Sequence, residues 1–194
     1  MKKMKISPYV LVLSGVLFFA SCAPSSNNDS KEVAEDANDQ KFDDTGLEDD
    51  TEFAVTAADG GMLEVQLGEL AKTKATSQEV KAFADMMVTD HTKANEELKS
   101  LAAKKNITLP TTLSDKSRKS YEDLSKKTGK EFDEAYASLM VDDHQKTVND
   151  FKKQAENGND PELKSWAAGK VPALEHHLER SKQVKNLADS LKRL

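Results

Sequence analysis

Histidine is scarce in this chain and its placement is informative. Among 194 residues there are only His91, His144, His176 and His177. Three of them fall inside apolar stripes of helical period. His91 continues Val80, Phe83 and Met87 toward Leu98; His144 continues Phe132, Tyr136 and Met140 toward Val148 and Phe151; His177 follows Leu163, Trp166 and Leu174 and precedes Ser181 and Val184. Glu64 takes the same kind of position between Gly60-Gly61 and Leu67. A polar group buried in an apolar stripe must find a partner. Imidazoles and a carboxylate have two ways to do so. Glu64 can accept hydrogen bonds from two of the rings, or all four side chains can hold a transition metal (copper, iron or zinc), for which both groups are ordinary ligands.

Neighbouring residues narrow the chemistry. Met87 and Met140 stand four residues before His91 and His144, on the same helix face. Thioether with imidazole favours copper, Cu(I) above all, although methionine also fills cores readily, and core filler is the expectation for both. Asp90 and Asp143 each precede a histidine by one residue, about 100° around the helix. They are placed to orient an imidazole on a neighbouring helix, or to face solvent. His176 is turned away from His177 for the same reason and is expected to be peripheral. The residues three before the stripe histidines are Val88, Val141 and Leu174, so the Glu-x-x-His pairs of di-iron carboxylate proteins are absent. No nucleophile triad or phosphate loop accompanies these residues.

The elements that must carry these side chains are helices. The periodicity predicts long helices over about 52–75, 77–105, 131–157 and 161–192, with a shorter one over about 114–127. Thr51 and Ser77 read as N-caps, Gly129 as a left-handed stop after the short helix, and Pro161 as a first-turn proline. The midpoints of the four long helices lie near Glu64, His91, His144 and His177. Antiparallel helices of similar length bring their midpoints to one level, so the four side chains are expected to meet in the core of an all-α, antiparallel four-helix bundle. Residues 83–93 and 136–146 are also related: six of eleven positions are identical, including Met-Val-x-Asp-His. This marks a duplicated helix. Gly60-Gly61 is expected to allow a close helix approach, and Pro172 to kink the last helix.

Charge and address are written at the other end. Lys2, Lys3 and Lys5 precede an apolar run ending Phe19-Ala20-Ser21-Cys22, a pattern that reads as a signal peptide over 1–21. The small residues before Cys22, the only cysteine, resemble a bacterial lipobox, so Cys22 is the expected lipidation site and a membrane the expected partner. Residues 23–51 carry ten acidic residues against Lys31 and Lys41, with few large apolar groups. Residues 22–51 are therefore expected to be a lipidated cysteine and a disordered acidic spacer, and 52–194 the folded domain. The net charge of −6 argues against a nucleic-acid partner.

The run Phe53-x-x-x-Ala57-Ala58-x-Gly60-Gly61-Met62-x-Glu64-Val65, the paired Met-Val-x-Asp-His motifs, Leu109-Pro110 and the closing Pro172-x-Leu174-x-x-His177-Leu178 resemble the bacterial domain family of unknown function numbered 4142. The resemblance covers about residues 52–184. It implies a ferritin-like four-helix bundle in exported proteins, often lipoproteins of Gram-negative bacteria, and no established activity. The expected function is metal binding in the envelope, at the outer membrane, for sequestration or stress. A metal-free structural or protein-interaction bundle is the alternative, and a metal-dependent oxidase comes third.

Overall fold

Capping side chains set most helix starts in the computed structural model, which describes residues 29–192. Helix α3 (Gln78–Lys105) starts where Ser77 Oγ accepts the backbone N–H groups of Glu79 and Val80, and it ends at Asn106 in the left-handed region, φ 59°. Helix α4 (Asp115–Ser125) starts at Ser114, whose Oγ accepts from Ser117 N. Helix α6 (Pro161–Lys192) starts after Asp160, whose Oδ1 accepts from Glu162 N and Leu163 N, and it continues through Pro172. Two boundaries differ from expectation. Gly129, φ 59°, opens α5 (Gly129–Asn157) instead of closing α4. Helix α2 (Glu48–Lys74) begins before Thr51, which lies inside it with its hydroxyl bonded to Glu48 O at 2.9 Å. The acidic first turn of Glu48, Asp49 and Asp50 suits the positive end of the helix dipole.

The largest departure is the acidic segment. Within it Ser30–Phe42 form α1, which packs against α2. Its composition misled because a helix lying on an existing domain needs little apolar surface of its own. Ala34 and Asn38 are its buried residues. The Asn38 amide replaces apolar burial with two hydrogen bonds, donating to Thr108 O at 2.8 Å and accepting from Thr108 N at 2.7 Å. Asp29 caps α1 through Lys31 N and also accepts from Asp115 N. The folded unit therefore extends upstream of residue 52. The signal segment and Cys22 lie outside the described residues.

Helices α2 and α3 pair closely, as do α5 and α6, and α4 belongs to the connection between these two hairpins. The hairpins touch each other less extensively, through α2 with α5 and α3 with α6. Three apolar clusters hold the helices together. The largest contains Leu67, Phe83, Met87, Phe132, Tyr136 and Met140. The two smaller ones gather around Ala54, Leu98 and Leu163, and around Phe151, Ala167 and Leu174. On α3 and α5 the changeover from the large cluster to a small one falls at His91 and His144, while Glu64 directly follows Leu63 of the large cluster and His177 lies between Leu174 and Leu178 of a small one.

The expected close approach at Gly60-Gly61 is half correct. A Cβ on Gly61 would collide with the Asn95 side chain, whereas one on Gly60 meets nothing within 4 Å. Gly68 makes the tighter backbone contact, where a Cβ would stand 2.6 Å from Val88 Cγ2 and 3.2 Å from Ala84 O. Gly60→Ala is expected to raise stability by roughly 0.5–1 kcal/mol through helix propensity. Gly68→Ala is expected to lower it by about 1–3 kcal/mol, because α2 and α3 must separate. Urea denaturation of the two variants checks the opposite signs.

Candidate metal centre

Each long helix delivers one polar side chain to the same level. Glu64 from α2, His91 from α3, His144 from α5 and His177 from α6 are all buried, His144 completely. The three imidazoles have ring centroids 5.3–5.6 Å apart, with His144 edge to face against the other two and His91 and His177 tilted on each other. One ligand nitrogen of each lies within 4.8 Å of the other two.

Every ring has one nitrogen committed and one left over. His91 Nδ1 lies 2.7 Å from Glu64 Oε2, His144 Nδ1 is 3.0 Å from the Met140 carbonyl, and His177 Nε2 is 2.8 Å from Asp90 Oδ2. A carbonyl only accepts, and so does an ionised carboxylate, so His144 and His177 carry their protons on these nitrogens, and His91 does the same while Glu64 is ionised. The lone pairs then belong to His91 Nε2, His144 Nε2 and His177 Nδ1. All three atoms are buried without a hydrogen-bond partner. Glu64 Oε1 is likewise unpartnered; it lies 3.3 Å from His144 Nε2 but off the direction a hydrogen bond requires. A mutual hydrogen-bond network of the kind expected from sequence thus satisfies only one side of each ring.

Burial governs the protonation of the cluster. It pushes His91 down to about 4 and lowers His144 and His177, so the rings favour the neutral, ligating form. It raises Glu64, and together with the neighbouring Glu64 charge it raises Asp143 to about 7.

The two aspartates flanking the histidines act differently. Asp90 orients His177 from the adjacent helix, as its position suggested. Asp143 does not serve an imidazole in that way; it lies with Glu64 and His144 in a second group of donors within 4.8 Å. The sulfur residues Met87 and Met140 belong to the large apolar cluster and are completely buried there. Their role is packing, plus the Met140 carbonyl that fixes His144. His176 is exposed.

One participant escaped the sequence reading. Tyr136 carries a buried hydroxyl with no hydrogen-bond partner, and burial followed by the Glu64 charge holds it above its ordinary pKa. Its counterpart in the duplicated segment is Phe83. A hydroxyl added to one copy of an otherwise apolar position was the available signal.

The centre is reachable from outside. A cleft of about 690 Å³ between the hairpins has Glu64, Asp90, His91, Asp143 and His177 in its wall. Phe53, Phe151 and Trp166, which also line it, stack edge to face or tilted on one another. The residues present therefore fit a transition metal on three counts: converging lone pairs, oriented rings and a path for the ion. Ligand nitrogens at about 2.0–2.1 Å from a tetrahedral ion stand about 3.3 Å from one another, a contraction that rotamer adjustment can supply.

Comparison with known proteins agrees on the fold. The sequence profile described as "Domain of unknown function (DUF4142)" matches residues 32–184, starting inside α1 and not at residue 52. A solved structure described as "CopM in the Cu(II)-bound form" aligns with a TM-score of 0.60 at 17% sequence identity, covering 71% of this chain and 95% of that one. At that identity the likeness speaks for the fold alone. No curated protein matches the sequence.

Proposed function

This chain belongs to the DUF4142 family, and from that premise we propose that it is a metal-binding protein of the bacterial envelope. Its centre is the layer of His91, His144, His177 and Glu64 in a ferritin-like, antiparallel four-helix bundle. The observation that carries this reading is the set of three buried imidazole nitrogens with lone pairs and no hydrogen-bond partner. A layer evolved only to fix helix register would be satisfied internally, because each orphaned buried polar atom costs about 1–3 kcal/mol. A divalent ion turns those costs into ligand bonds.

Three nitrogens with a carboxylate nearby suit Cu(II) and Zn(II), and Cu(II) is favoured by the general affinity order of divalent ions. The copper named for the structural neighbour is consistent with that order. With the two thioethers packed in the apolar cluster, support for Cu(I) weakens. The ligands hold and orient the ion, and the cleft admits it, an arrangement suited to sequestration or buffering.

Mass spectrometry of protein purified without chelators or affinity histidines, before and after loading with Cu(II), Zn(II) or anaerobic Fe(II) and Cu(I), tests this. One ion per chain is the expected result. No ion under any loading condition would leave a metal-free structural bundle.

Attachment to the membrane through a lipid on Cys22 belongs to the same proposal. No helix among the described residues is long and apolar enough to cross a membrane. Cys22→Ser is expected to move the protein from the membrane to the soluble fraction on cell fractionation.

A further inference from the structure

The duplicated helices α3 and α5 use their matching aspartates on different partners. Asp90 reaches from α3 to α6 and joins a carboxylate to the His177 imidazole. Asp143 extends from α5 toward α2 and brings a carboxylate within 4.8 Å of another carboxylate, Glu64. Two carboxylates within 4.8 Å of each other repel unless a proton or a cation lies between them. Within this second group Glu64 Oε1 and His144 Nε2 stand 3.3 Å apart, both buried and without hydrogen-bond partners. Asp143 is only partly buried and shares the cleft wall with Glu64.

We propose that the centre offers a metal two overlapping positions that share His144: an all-nitrogen one made by His91, His144 and His177, and an oxygen-rich one made by Glu64, Asp143 and His144. The inference rests on the metal-binding reading above. The positions exclude each other because His144 Nδ1 is committed to the Met140 carbonyl. One lone pair remains, at Nε2, and it binds one ion. Ligand chemistry then sorts the occupants. Imidazole donors retain Cu(II), while the carboxylate pair suits Mn(II). Glu64 serves both arrangements, with Oε2 holding His91 and Oε1 free to ligate.

Titration of the intact protein with Mn(II) and with Cu(II), followed by electron paramagnetic resonance, tests the sorting. The parent is expected to bind one ion of either metal, with Cu(II) displacing Mn(II). Asp143→Asn is expected to weaken Mn(II) about tenfold or more and leave Cu(II) within about threefold; His177→Gln is expected to do the reverse. Normal binding of one metal by each variant vouches for its fold. Parallel loss of both metals in either variant, simultaneous binding of both ions, or a parent that takes Cu(II) and refuses Mn(II) overturns the two positions. A parent that takes neither metal overturns the metal-binding reading itself.

Discussion

Replacing His144 with alanine is expected to lower affinity for every metal the protein binds by about 10²–10³-fold, the largest loss among the cluster's single variants. The magnitude follows from dividing the roughly 10–16 kcal/mol of a four-ligand zinc site among its ligands, which gives about 2.5–4 kcal/mol for each. His144 exceeds its neighbours because its Nε2 belongs to both groups of donors, whereas His177 and Asp143 each belong to one. It is also the best oriented of the rings. Its Nδ1–H is fixed by a backbone carbonyl, which cannot swing away as the half-exposed Asp90 side chain can.

A completely buried ring leaves a cavity when it is truncated. Free imidazole added to His144→Ala is therefore expected to restore part of the metal binding. Competition titration against a chromophoric chelator, with and without imidazole, measures both effects. Parent-like affinity in the variant would remove His144 from the ligand set. Lost affinity with no imidazole rescue and a collapsed far-ultraviolet spectrum would assign it to folding.

That site was legible in the sequence because its signal is a contradiction. Imidazole and carboxylate at core positions of amphipathic helices conflict with burial, and the conflict marked Glu64, His91, His144 and His177 without any knowledge of how the helices pack. Helix existence was legible for the same reason, since α3, α5 and α6 each bury one continuous stripe. What composition hid was polar docking. Helix α1 is anchored by Asn38 and by Lys41, whose Nζ donates to Thr108 Oγ1 at 2.6 Å, and neither contact leaves a hydrophobic period to read. The role of Asp143 was hidden too. Its partner Glu64 lies on a helix distant in sequence, and a flanking aspartate reads the same whether it meets an imidazole, a carboxylate or solvent.

Asp50→Ala is expected to destabilise the fold by about 3–5 kcal/mol, a large share of the roughly 5–15 kcal/mol that holds a domain together. By composition Asp50 belongs to an acidic spacer, and a spacer residue would tolerate the change. In the structure it is 1% exposed and bolts the first turn of α2 to the connection between α5 and α6. Its Oδ2 accepts from Asn159 N at 2.9 Å and Asp160 N at 3.0 Å, and its Oδ1 accepts from the Gln154 side-chain amide. Alanine leaves two backbone donors and an amide without an acceptor, and Asp160 N has no access to water to compensate. The asparagine variant separates hydrogen bonding from charge. Both backbone donors use the same oxygen, which an asparagine side chain would keep, and Gln154 can turn its amide to present an oxygen to the new NH₂ group. Asp50→Asn is therefore expected to cost only about 1 kcal/mol, the difference between a charged and a neutral acceptor. Chemical denaturation of the pair reads this directly. Equal, negligible effects would return residues 48–51 to a spacer, while a large loss with alanine and a small one with asparagine places the start of the folded domain upstream of Asp50.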